Sequence, residues 1–216
     1  MFLVLVSATG FGALAILAKV AYGAGLSPLV ALNWRFILAA FFLAGYVAVA
    51  RLPWRMNYRE AGVLLLLGGA GYASMSTLFF GALRFIPASA ASLLLYTYPA
   101  FVTLLSRLFW RTPLTPGHWA ALLLTGCGTV ALLWSPGLHL NSLGTLLGLG
   151  AAVVYSFYLL ANQRVTPGVN PAVASTCIIG GAALSFTVFN LASGTFTTCF
   201  TPRGWTALAL MAFCST

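Results

Sequence analysis

Seven stretches of this 216-residue chain run for about twenty residues with one charge at most: 2–22, 27–50, 60–83, 87–109, 116–134, 143–163 and 171–193. A helix of that length crosses the ~30 Å hydrocarbon core of a bilayer. Charged residues make up 5% of the chain, against roughly 25% in a soluble domain. Water cannot solvate a surface so poor in charge, so lipid must be the solvent. Strands of a membrane barrel would alternate apolar and polar residues over about ten positions, and these runs are continuous and longer. The chain is expected to be an all-α membrane protein, a multi-pass helical bundle whose first partner is the lipid bilayer.

The few charges then report topology. A net charge of +9 invites a nucleic-acid reading, but the basic residues lie between apolar runs rather than on one polar face. No nucleic-acid partner is expected. Arg51, Arg55, Arg59, Arg107, Arg111 and Arg164 fall on one side of the bundle, and Lys19, Arg84 and Arg203 on the other. The richer side faces the cytoplasm by the positive-inside rule, which puts the N-terminus inside. Cys127, Cys177, Cys199 and Cys214 are scattered with no C-x-x-C pair, so neither a metal site nor a disulfide framework is expected. Glu60 is the sole acidic residue, which excludes carboxylate-pair chemistry. No nucleophile elbow, zinc-protease helix or phosphate loop is present either, and His118 and His139 fall in predicted loops. The chain is expected not to be an enzyme and to carry no cofactor.

The chain also repeats itself. Gly25-x-x-Pro28-x-Val30-Ala31 recurs 143 residues later as Gly168-x-x-Pro171-x-Val173-Ala174, and Ala39-Ala40 recurs at the same offset as Ala182-Ala183. Five predicted helices separate the copies, and an odd number inverts the second relative to the first. Inverted repeats are a signature of secondary transporters. The expected organisation is a five-helix repeat over 1–135 and a partial second repeat over 142–216. The apolar run from Trp205 to Thr216 is too short to span, so the second repeat is expected to be incomplete, with further spans encoded past Thr216.

Several motifs bear a family likeness. The stretch Gly81 to Arg107, GALRFIPASAASLLLYTYPAFVTLLSR, resembles the third-to-fourth helix region of EamA-type permeases of the drug/metabolite transporter superfamily. Ser27-Pro28 followed by Trp34-Arg35-Phe36 is similar to that family's second helix, and Pro113-Leu114-Thr115 leading to Gly126-Cys127-Gly128 to its fifth. Thr112 stands where the family often has a Glu. The resemblance implies ten helices in two inverted five-helix repeats and transport of small metabolites, amino acids among them, across a bacterial inner membrane.

Polar residues inside such spans are the candidates for function. Arg35 lies near mid-bilayer, where a cation is costly and marks a partner, a cavity or a pathway. Pro99 should free the carbonyl of Leu95 and kink its helix, beside Tyr96, Thr97 and Tyr98. Tyr72 and Ser76 share a helix face, as do Tyr155, Tyr158 and Asn162. These faces must turn inward, either to line a translocation path or to hold helices together. Gly144, Gly148 and the Gly68-Gly69-Ala70-Gly71 patch suit close helix packing. The expected function is a permease for a small-molecule substrate working by alternating access. The alternative is a truncated, non-transporting membrane protein or assembly component, and an oligomer is possible on either reading.

Overall fold

The computed structural model describes residues 15–23, 27–54, 56–110, 115–133, 141–195 and 202–214. The described residues are helical with short connections. Helix α1 covers 15–23, α2 Pro28–Val49, α3 Tyr58–Leu66 and α4 Ala73–Ala82, with a π-helical turn, Leu67–Tyr72, joining α3 to α4. Helices α5 (Ala88–Leu95), α6 (Tyr98–Trp110), α7 (Pro116–Leu133), α8 (Ser142–Val165), α9 (Pro171–Ala192) and α10 (Pro202–Cys214) follow. Five helical runs are long and apolar enough to cross a membrane: Pro28–Val49, Tyr58–Ala82, Ala88–Phe109, Ser142–Val165 and Pro171–Ala192.

The packing is that of a protein dissolved in lipid. Large apolar side chains such as Phe41 (74% exposed) and Leu124 (75%) face outward, while Asn33, Arg35, Ser76, Thr97, Ser156 and Asn190 are buried. A soluble domain would invert this distribution, because exposing apolar area to water costs about 25 cal/mol per Å². The chain is a multi-pass helical membrane protein.

The most extensive interface joins α2 to α9. Ser27 Oγ accepts from the Val30 amide (3.4 Å) to cap α2, and Asn170 Oδ1 accepts from the Ala172 amide (3.0 Å) to cap α9. Each helix then has proline at its first position, where no amide is missed. Each is 22 residues long. Both also end alike. Arg51 (φ 48°) and Gly194 (φ 64°) take left-handed conformations two residues past their helices, just after the caps Ala50 and Ser193. Their amides, with those of Leu52 and Thr195, return to carbonyls of the last turn. Start, length and terminus thus correspond at the 143-residue offset that the sequence motif set. Two polar ties lock the pair: Thr187 Oγ1 donates to Asn33 Oδ1 (2.8 Å), and Asn190 Nδ2 donates to the Phe186 carbonyl (2.8 Å) and to that of Leu29 (3.4 Å).

Glycines set the remaining crossings. A Cβ on Gly68 would overlap the carbonyl of Ile178, and one on Gly181 that of Leu65, so the π-helical turn and α9 meet backbone to backbone. Gly144 faces Phe85 and Ile86, and Gly148 faces Leu94, which seats α8 against α5 and the turn before it.

The expected span 87–109 is more than kinked. It is two helices, because α5 ends at Leu95 and α6 begins at Tyr98. Thr97 stabilises the break by donating both its amide (3.2 Å) and its hydroxyl (2.7 Å) to the Leu94 carbonyl. His118, expected in a loop, lies in the first turn of α7, where Nδ1 accepts from the Thr115 amide (3.1 Å). Glu60 is spent on a helix start: its Oε2 accepts from the Asn57 amide (2.9 Å) while Asn57 Oδ1 accepts from the Tyr58 amide (2.9 Å). Arg55, Arg111, Thr112, His139 and Cys199 lie outside the described residues.

Candidate functional site

Three consecutive constraints on α8 build the centre of the bundle. Tyr155 and Tyr158 sit three residues apart, so both rings project from one face. Ser156, between them, points elsewhere. Its single O–H is shared between the Ala152 carbonyl (2.7 Å) and that of Tyr98 (3.0 Å). The second bond fixes α6 against α8 at the helix break. Tyr98 is thereby held with its ring edge-on to Tyr155, centroids 4.9 Å apart and planes at 75°.

From Tyr155 the aromatic contacts continue without a gap. Tyr155 stacks on Tyr158 (5.8 Å, 13°), and Tyr158 meets Tyr72 (5.5 Å, 42°). Tyr72 meets Phe36 (5.6 Å, 77°), and Phe36 stacks on Phe186 (5.4 Å, 8°). Six rings from α6, α8, the π-helical turn, α2 and α9 thus form one ladder. Each such pair contributes about 0.5–1.5 kcal/mol beyond area burial. Tyr72 closes the π-helical turn, so the extra residue of that turn decides which way its ring points. Gly71, beside it, leaves room for Tyr158: a Cβ there would come within 3.3 Å of that ring.

Arg35 stands at the Phe36 end of the ladder. Its guanidinium carbon lies 4.6 Å from the Phe36 centroid and 5.6 Å from that of Phe80. It is 2% exposed, and desolvated cation–π contacts of this kind are worth about 2 kcal/mol. Tyr22 ties α1 to the same place by donating to the Phe80 carbonyl (3.0 Å). One turn beyond Tyr158 on α8, Asn162 Oδ1 is buried with no hydrogen-bond partner among the described residues.

The structure brings together Arg35, Tyr72, Tyr98, Tyr155 and Tyr158 along this line, and Asn162 continues the same face of α8 one turn past Tyr158. Ser76, one turn past Tyr72, is fully buried. Tyr96 is 42% exposed and Pro99 is also exposed, so both lie on the outer surface although Thr97 and Tyr98 beside them face inward. Sequence reasoning missed Phe36 and Phe186, because an apolar ring in an apolar helix carries no signal. It also missed Asn33, Asn190 and Thr187, whose amides and hydroxyl in otherwise apolar helices were a legible one. No group of three or more His, Cys, Asp or Glu side chains that could hold a metal occurs among the described residues. Glu60 sits at a helix cap, so the ladder contains donors, π faces and one cation but no carboxylate.

A multi-pass bundle with a continuous polar and aromatic interior and an apolar exterior is the class this fold defines. The model of the EamA-like transporter family matches residues 1–134, and the chain belongs to that family. It is 31% identical over 153 residues to the threonine/homoserine exporter RhtA of Escherichia coli K12, an alignment covering 69% of this chain and 46% of that one. The RhtA of Salmonella typhimurium LT2 is 29% identical over 140 residues, covering 64% and 43%. The chain therefore spans about half the length of the curated relatives it matches. A solved structure, titled only as the crystal structure of a protein, superposes with a TM-score of 0.65 at 22% identity over 97% of this chain and 78% of its own. That likeness bears on the fold alone.

Proposed function

We propose that this chain forms all or part of an exporter for small zwitterionic amino acids or related metabolites, working by alternating access in a bacterial inner membrane. The observation that carries the reading is the tyrosine ladder, which crosses the interior of a family fold whose relatives include exporters of threonine and homoserine. Tyrosine suits such a path because its ring packs against apolar neighbours while its hydroxyl offers an exchangeable hydrogen bond. Moving a zwitterion past a row of such groups replaces water contacts one at a time.

The matched ends of α2 and α9 support an inverted-repeat organisation, with 1–135 as one half and 142–216 as part of the other. Alternating access would then rock one repeat against the other about the α2–α9 interface. Arg107 and Arg164 would face the cytoplasm and Asn141 the far side. Residues 1–216 offer no carboxylate in a span, so a proton relay built on Asp or Glu is not part of this proposal.

Vesicles reconstituted with the chain, and separately with a version extended to the relatives' length, should take up radiolabelled L-threonine. Tyr158→Ala should lower the initial rate about tenfold or more, as loss of one buried contact of ~1.4 kcal/mol would. Failure of both wild-type forms to move threonine, homoserine or a panel of related amino acids would overturn the proposal. It would leave a non-transporting membrane component as the better reading.

A further inference from the structure

We infer that Asn162 is the specificity-determining acceptor for the ammonium group of the transported solute, and that its amide restricts the site to net-neutral zwitterions. The inference rests on the transport reading above and assigns a polarity to the ladder.

Three observations carry it. First, Asn162 Oδ1 is a buried acceptor without a hydrogen-bond partner among the described residues. Groups of this kind are rare in folded proteins, and an absent ligand is one of the standard reasons for them. The complement of an orphan acceptor is an N–H or O–H donor. Second, Asn162 extends the face of α8 that carries Tyr155 and Tyr158, whose stacked rings lie one and two turns away. Aromatic faces attract ammonium groups through the ring quadrupole. Third, the cation against these rings, Arg35, lies on Phe36, separated from Tyr158 by Tyr72. Its positive charge repels an ammonium and attracts a carboxylate. A zwitterion in this field orients with its ammonium towards Asn162 and its carboxylate towards Arg35.

An amide in this position also explains what the site would refuse. A neutral acceptor gives directional bonding to one ammonium but supplies no negative charge. A diamine or polyamine would bring an uncompensated cation into an interior that already holds Arg35. An Asp at the same place would supply that charge and remove the discrimination. The Asn-for-Asp difference is a single atom pair with nearly equal volume, so it tests charge without disturbing packing.

The test measures binding to the full chain in lipid nanodiscs with L-threonine, its desamino analogue 3-hydroxybutyrate, and cadaverine. Wild type should prefer threonine and ignore cadaverine. Asn162→Ala should weaken threonine about tenfold, the scale of one hydrogen bond to a charged group, while 3-hydroxybutyrate changes little. Asn162→Asp should gain cadaverine binding. Unchanged threonine affinity in Asn162→Ala, or an equal loss of threonine and 3-hydroxybutyrate, would overturn the inference and leave the transport reading standing. If Asn162→Ala does not fold, Asn162→Asp decides alone, and no gain of cadaverine overturns the inference. No threonine binding by wild type would remove this role together with the transport reading.

Discussion

A single hydroxyl does most to place the candidate site. Ser156 is wholly buried and bonds the Tyr98 carbonyl across two helices, at the point where α5 gives way to α6. Tyr98 opens α6, and the serine adds to its carbonyl a bond that comes from a different helix, α8. Ser156→Ala should lower stability by about 1 kcal/mol, because it removes a buried hydrogen bond between α8 and α6. Thermal unfolding in detergent would register it as a lower midpoint. Ser156→Thr, which keeps the oxygen, should recover most of the loss. The sequence showed Tyr98 and Tyr155 as polar candidates but could not show that Ser156 joins them. The serine lies between two tyrosines in sequence and looks like filler. Tyr96 failed in the opposite direction: it stands two residues from Tyr98, but the broken helix turns it outward.

Element boundaries were legible where turn chemistry was strong. Ser27-Pro28 and Asn170-Pro171 start helices as their composition requires, and both begin within one residue of the expected positions. The ends of α2 and α9 also fall within one residue of the expected positions, but the conformation that makes them was less readable. Gly194 is an ordinary residue for a left-handed terminus, but Arg51 performs the same turn at a steric cost that no composition rule anticipates. The π-helical turn was invisible, because three glycines in a row of apolar residues read as smooth packing surface, which they also are. Gly68→Ala should be severe. Its Cβ would meet the backbone of Ile178, which cannot rotate away, and overpacking of this kind costs typically about 1–3 kcal/mol and sometimes more. Gly128→Ala is the matched control, since a Cβ there meets nothing within 4 Å. Comparable loss of folded yield for the two variants, measured by size-exclusion profile in mild detergent, would contradict the backbone-contact argument.

At the scale of the whole molecule, charge poverty gave the membrane setting, and the length and continuity of the apolar runs gave helices rather than strands. The six-to-three arginine and lysine bias carries the proposed orientation. In intact cells, a cysteine replacing Asn141 should react with an impermeant maleimide and one replacing Arg59 should not, in a background lacking the native cysteines. Labelling at position 59 alone would reverse the bundle. What the sequence could not give was the aromatic ladder, since five elements contribute to it and only their packing orders the rings. The placement of Glu60 has a last consequence. With the only side-chain carboxylate of residues 1–216 locked at a helix cap, the proposed cycle, carrying a net-neutral zwitterion with no coupled ion, would be electrically silent. Each full charge moved through 100 mV would exchange about 2.3 kcal/mol with the field, and such a cycle would move none. A potassium diffusion potential of either sign should leave the transport rate where it was.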